Sequence, residues 1–112
     1  MVNLEIKARM AELEKDQYVK QWISGLSPRT KDNYLRGILF WNDFLGMTPT
    51  EQINKRMKDL TSQDLTERTF FEAKFREYKA MREDQGKLSA LSIKSELRTV
   101  ASFLVVLLAD WL

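Results

Sequence analysis

The chain has 112 residues, enough for one domain with a modest core, and its 44% hydrophobic and 30% charged residues are typical of a globular protein. It contains no cysteine and no histidine, which excludes disulfides, thiolate chemistry and every histidine-dependent catalytic triad. Its net charge of +2 is too small to indicate nucleic-acid binding by itself. The N-terminus lacks a signal-peptide pattern and the most apolar stretch is too short to span a bilayer, so we expect a cytoplasmic protein.

Apolar residues at helical spacing begin near the N-terminus and predict a first helix over residues 3–23. Ser24 and Gly25 end this helix, because glycine readily adopts the left-handed conformation of a helix C-cap. The apolar positions of the predicted helix are Leu4, Ala8, Ala11, Tyr18, Val19 and Trp22.

A second helix is predicted from Pro28 to about Leu45, with Ser27 as its N-cap and Gly46 after its end. Proline suits the first helical position because its φ is preset and it has no N–H to leave unpaired. Aromatic residues widen the apolar face, which indicates burial on more than one side. The face comprises Leu35, Ile38, Leu39, Asn42 and Leu45, widened by Tyr34, Phe40, Trp41 and Phe44.

Two further helix starts follow in the middle of the chain. Thr48 and Glu51 form a capping box around Pro49, which predicts a short helix to about Lys58. Residues 61–64 form another start, and the long helix after it ends at Gly86. That helix is expected to direct Phe70, Phe71, Phe75, Tyr78 and Met81 inward and to pair Glu72 with Arg76.

The last helix is predicted to begin near Ser89. Its apolar positions are Ile93, Leu97, Val100, Leu104, Leu107, Leu108 and Trp111. Since no strand pattern occurs in the sequence, we predict an all-α fold, a small orthogonal bundle of four to five helices. Its core is expected to contain Leu35, Ile38, Leu39, Phe71, Phe75, Leu97, Val100 and Leu104.

Two of the predicted helix starts, at residues 26–31 and 88–94, share one pattern. Each has a serine N-cap, a hydroxyl residue three positions later and a lysine just beyond. The first turn of a helix exposes unpaired N–H groups and the positive end of the helix dipole, which favour phosphate binding. Two such starts indicate a module that contacts a nucleic-acid backbone at two points. The alternative is that both are ordinary caps, since serine is common there.

The last helix also carries polar residues at a spacing that suits DNA. Ser92 and Ser95 lie three residues apart and Lys94 and Arg98 four apart, on neighbouring stripes opposite the apolar face. Small side chains beside cations let a helix approach DNA closely, although an ordinary solvated face is the alternative. Because no phosphate loop, metal-ligand cluster or nucleophile motif is present, we expect no catalytic activity.

Three segments resemble a known family. Residues 26–34, running into 40–45, resemble the "LSxxTxxxYxxxLxxFxxFL" helix of the tyrosine recombinases, the phage integrase family. Residues 88–97, running into 101–104, are similar to that family's "lSxxTinrxlsalrsFfxyl" helix, and residues 60–65 resemble the intervening "lT.edi" start. The segments follow the family's order over about residues 18–108. Ser92 stands where the family has threonine, and the 47–58 region is longer than the family pattern.

The resemblance implies the family's N-terminal SAM-like core-binding domain, which clamps one face of duplex DNA during integration and recombination. The Arg-His-Arg-Tyr set of the family's catalytic domain has no counterpart here, so the chain would bind DNA without catalysis, cofactor or metal. We expect residues 1–112 to be one domain, a fragment that is monomeric alone. Its partners would be double-stranded DNA and, in a full assembly, other recombinase protomers, and not a membrane. The candidate DNA-binding residues are Arg29, Thr30, Lys31, Tyr34, Lys87, Ser92, Lys94, Ser95 and Arg98.

The alternative to DNA binding is a helical protein-interaction domain. Such a domain would use its apolar last helix as a docking surface and would not bind DNA.

Overall fold

The computed structural model describes residues 2–86 and 89–109, with side chains described for 4–86 and 89–104. All regular structure in these residues is helical, which confirms the predicted all-α class, but the predicted number of four to five helices is too small. The seven helices described are α1 (Val2–Leu13), α2 (Gln17–Ile23), α3 (Pro28–Leu45), α4 (Pro49–Leu60), α5 (Leu65–Arg68), α6 (Phe70–Gln85) and α7 (Ala90–Ala109).

The predicted first helix is wrong, because the chain turns between α1 and α2. Asp16 is the N-cap of α2, and its carboxylate accepts hydrogen bonds from the backbone N–H groups of Tyr18 and Val19 at 2.8 and 3.3 Å. The other carboxylate oxygen accepts from the Thr50 hydroxyl at 2.6 Å. The break lets α1 pack on α3 while α2 packs on α7 and α4.

The apolar face assigned to the first helix is also wrong for α1. Leu4 is 71% exposed, and Ala8 and Ala11 are exposed as well. Met10 and Leu13 are buried instead. The predicted face assumes one continuous helix over residues 3–23. Because the chain turns between α1 and α2, α1 packs on α3 with a different set of residues.

The predicted boundaries of α3 and α4 agree closely with the structure. Ser27 caps α3, Pro28 is its first residue, and Gly46 ends it in the left-handed conformation with a φ of 68°. At α4, Thr48 and Glu51 form both hydrogen bonds of the capping box. The helix continues to Leu60, two residues beyond the predicted end.

The long helix predicted after residue 64 is divided in the structure. Asp64 caps the four-residue α5, and α6 begins anew at Phe70. The predicted Glu72–Arg76 pair is wrong, because Glu72 pairs with Arg56 of α4 through two hydrogen bonds of 2.7 and 3.2 Å. A bidentate bond between helices fixes the carboxylate better than a single contact along one helix.

A single hydrophobic cluster joins α1, α2, α3, α4, α6 and α7. Trp41 is fully buried within it and donates from Nε1 to Oε1 of Gln52 at 2.7 Å. Gln52 is itself fully buried and donates to Asn42 and to the carbonyl of Met47, so the Gln52 amide and the Trp41 indole N–H are paired inside the core.

The core predicted from the sequence is confirmed. Seven of its eight members are buried, and Phe75 is half-buried against the same cluster. Ile93 of α7 is buried too, whereas the side chains of Leu107, Leu108 and Trp111 lie outside those that the structure describes.

Candidate nucleic-acid interface

The start of α3 has a doubly bonded cap. The Ser27 hydroxyl oxygen accepts from the backbone N–H of Thr30 at 3.3 Å, and the same hydroxyl donates to Oγ1 of Thr30 at 3.0 Å. Thr30 therefore completes the cap and retains its own hydroxyl hydrogen for an outside acceptor.

The start of α7 repeats this geometry. The Ser89 hydroxyl oxygen accepts from the backbone N–H of Ser92 at 3.2 Å and donates to the Ser92 hydroxyl at 3.1 Å. The shared sequence pattern thus corresponds to the same cap in three dimensions. At each start, the cap pairs the N–H of the third helical residue. Because Pro28 has no N–H, α3 leaves only the N–H of Arg29 for an anion, whereas α7 leaves those of Ala90 and Leu91.

The order of contacts between α3 and α7 shows how the two starts are arranged. Tyr34 of α3 stacks on Trp22 of α2, and Trp22 in turn donates to the hydroxyl of Ser102 on α7 at 3.1 Å. Further along α3, a Cβ on Gly37 would lie 3.1 Å from Cγ2 of Thr99. The later residue of α3, Gly37, therefore lies near the earlier residue of α7, Thr99. Where they touch, α3 and α7 are therefore antiparallel. The N-terminus of α3 and the N-terminus of α7 lie toward opposite ends of this contact.

The structure separates the cations predicted at the α3 start. Arg29 is exposed on the same face of α3 as Asn33 and Arg36, because these residues are four and seven positions apart. Lys31 lies on another side of the helix, where it lines a shallow depression with Glu14 and Asp32.

Tyr34 contributes to packing as well as to the predicted site. Its ring is half-buried and stacks on Trp22 with 4.9 Å between centroids. The hydroxyl-bearing ring therefore helps to fix α2 against α3. Lys87, the remaining candidate between α6 and α7, lies outside the described residues.

On α7, the predicted site residues share one solvent-facing side. Lys94, Ser95 and Arg98 are exposed, opposite the buried Ile93 and Leu97. Among the described residues, neither Lys94 nor Arg98 has an ion-pair partner. Both charges are therefore open to an external anion.

A groove of about 430 Å³ lies along the contact between α3 and α7, with α6 at one side. Two predicted site residues, Ser92 and Ser95, line it. Arg36 and Arg82, which are not among the predicted site residues, line the same groove. Arg36 could have been found from its seven-residue spacing to Arg29, whereas Arg82 comes from α6 and gives no local signal.

The side of the groove next to α6 is held by a charged network. Glu96 accepts hydrogen bonds from the Tyr78 hydroxyl and from Arg82, the latter at 2.9 Å. The guanidinium of Arg82 lies over the ring of Phe40, 5.6 Å from its centroid. Burial and the neighbouring Glu96 carboxylate raise the pKa of Tyr78, so its hydroxyl stays protonated and donates to Glu96.

A larger depression of about 810 Å³ between α1, α3 and α4 is lined by carboxylates that are already paired. Asp43 pairs with Arg9, Asp16 caps α2, and Glu51 completes the capping box of α4. In the described part of the chain, no group of acidic residues is arranged to hold a metal ion. No helix in this part has the length and apolarity needed to cross a membrane.

Comparisons of the chain with family models, with curated proteins and with solved structures each found no match. The relation to tyrosine recombinases thus remains a prediction from the residues.

Proposed function

We propose that this chain is a non-catalytic, cytoplasmic domain that binds duplex DNA in the manner of a recombinase core-binding domain. The observation that carries the proposal is the pair of identically capped helix starts, at Ser27 and Ser89, on two helices in direct contact. The α7 start leaves two N–H groups outside the cap, whereas the α3 start, with Pro28 at its first position, leaves one. Each start also has a hydroxyl and an exposed cation within its first two turns. In a complete recombinase assembly, the partners would be DNA and other protomers.

The separation of the two starts supports a clamp on the DNA backbone. Because α3 and α7 run in opposite senses, their starts would meet two separate phosphates and not one. Arg29 flanks the first start, while Lys94 and Arg98 flank the second. Such contacts give affinity through phosphate neutralisation and counterion release.

Fluorescence anisotropy with a labelled duplex, recorded across a salt series, tests the proposal. Affinity is expected to fall steeply with salt for the wild-type chain. Arg29→Gln, Lys94→Gln and Arg98→Gln should each weaken binding to every duplex and reduce the salt slope by about one unit. Lys58→Gln, which removes an exposed cation from the end of α4, is the matched control and should leave the slope unchanged.

One result would contradict DNA binding, namely the absence of salt-dependent binding by the folded wild-type chain. Equal affinity of the wild type and the three neutralised variants would contradict the proposed interface and would make Arg29, Lys94 and Arg98 an ordinary solvated surface.

A second candidate function, protein interaction, is favoured by an apolar depression of about 330 Å³ between α6 and α7. Phe71, Phe75 and Leu104 line it, with Arg56 and Arg76 at its edge. A protein-interaction domain of this kind would show no binding in the anisotropy experiment at any salt concentration.

A further inference from the structure

The solvent-facing side of α7 contains an apolar residue among its polar ones. Leu91, Lys94, Ser95 and Arg98 are all exposed, and their spacing of three, four and seven residues puts them on one face. This face is opposite the buried Ile93. Any partner of the two cations would also meet Leu91.

Leu91 is unusually exposed for its size. Its exposed fraction is 80%, the highest among the large hydrophobic side chains that the structure describes. Leu4 and Leu65 follow at 71%, and they lie on α1 and α5, away from the cations of α7. Contact with an apolar group of a partner would remove this surface from water, which is favourable.

The surroundings of Leu91 restrict the chemistry of that partner. Lys94 and Arg98 favour a polyanion, and the carboxylate on the neighbouring side of α7, Glu96, is already bonded to Tyr78. In duplex DNA, the edges of the bases in the major groove display one apolar group, the C5 methyl of thymine. An α-helix fits this groove, and in helix-turn-helix proteins the N-terminal residues of the docked helix contact base edges. Leu91 is the second residue of α7.

We propose that Leu91 contacts thymine methyl groups in the major groove and gives the domain a preference for A·T base pairs. This inference rests on the proposed DNA binding. It adds one contact with a base to the proposed contacts with phosphates. The preference should be modest, because a single methyl-sized contact changes affinity by about fourfold.

The test uses two duplexes of the same A·T-rich sequence, one with thymine and one with deoxyuridine, which lacks only the C5 methyl. Wild-type protein should bind the thymine duplex about fourfold more tightly. Leu91→Ala should bind both duplexes equally, and Leu65→Ala, which truncates another largely exposed leucine, on α5, should keep the wild-type difference. The cycle of two proteins and two duplexes isolates the contact from any effect of the methyl on DNA shape.

The outcomes distinguish the inference from the proposed function. DNA binding without a methyl preference would overturn the role of Leu91 and leave the backbone clamp intact. A preference that persists in Leu91→Ala, shown by circular dichroism to be folded, would also overturn it. If the wild-type chain binds neither duplex, the proposed function fails, and the inference fails with it.

Discussion

At Gly37, α3 and α7 approach each other so closely that a larger residue would press on Thr99. A Cβ there would lie 3.1 Å from Cγ2 of Thr99, which is nearly buried and whose hydroxyl donates to the carbonyl of Ser95 at 3.2 Å. Alanine in a helix normally gains about 1 kcal/mol over glycine, but overpacking costs about 1–3 kcal/mol. We expect Gly37→Ala to lower the free energy of unfolding by about 1 kcal/mol in urea titrations.

The second variant for this contact is Thr99→Ser, which removes the methyl group that the new Cβ would meet. The Gly37→Ala, Thr99→Ser double variant should be no less stable to unfolding than Thr99→Ser alone. Without the clash, only the higher helix propensity of alanine over glycine remains. A stabilising effect of Gly37→Ala in the wild-type background would show that the helices have room to separate.

Helix starts and helix breaks differ in how well the sequence predicts them. Caps at Ser27, Thr48 and Ser89 were predicted, because one local hydrogen bond pairs the cap residue with a backbone N–H three positions on. The break at Asp16 was missed, although aspartate is a favoured N-cap, because helical spacing continues on both sides of it. Its bond to the Thr50 hydroxyl, which helps to hold the break, joins residues distant in sequence.

The pairing of α4 with α6 makes stability depend on pH. Partial burial is the largest single effect on Glu72 and raises its pKa. The hydrogen bond from Arg56, a backbone hydrogen bond and the charges of Arg56 and Arg76 together outweigh it, so the pKa lies below the usual 4.5. A lowered folded-state pKa adds stability above the unfolded-state pKa, and this stability is lost as pH falls through the folded value. We therefore expect Glu72→Gln to be less stable than wild type at pH 7 and the difference to vanish in more acidic solution, measured by urea unfolding across pH.

Two arginine variants identify the partner of Glu72. Arg56→Gln should remove the same acid-sensitive contribution, whereas Arg76→Gln should leave most of it, because Arg76 acts on Glu72 only at longer range. If Arg76→Gln removed the acid-sensitive contribution and Arg56→Gln left it, the predicted Glu72–Arg76 pair would be correct.

For the whole molecule, we expect weak binding with little sequence selectivity. Hydroxyls, N–H groups and cations position a protein on phosphates but read few base edges, and the A·T preference assigned to Leu91 is a few-fold. The dissociation constant at physiological salt should be on the order of micromolar. Competition assays with unrelated duplexes provide the measurement. Nanomolar, competitor-resistant binding to one duplex would contradict this prediction and would mean that the domain reads sequence by itself.

The sequence by itself determined the helical class, the capped starts and the members of the core. These features depend on local hydrogen bonds and on the period of apolar residues, which neighbouring positions specify. Only the tertiary structure decided that Lys31 lines a depression with Glu14, that Arg82 joins the groove and that the two starts lie toward opposite ends of the α3–α7 contact. Those features depend on how helices pack, and packing is set by contacts between residues far apart in the chain, such as Gly37 with Thr99 and Arg56 with Glu72.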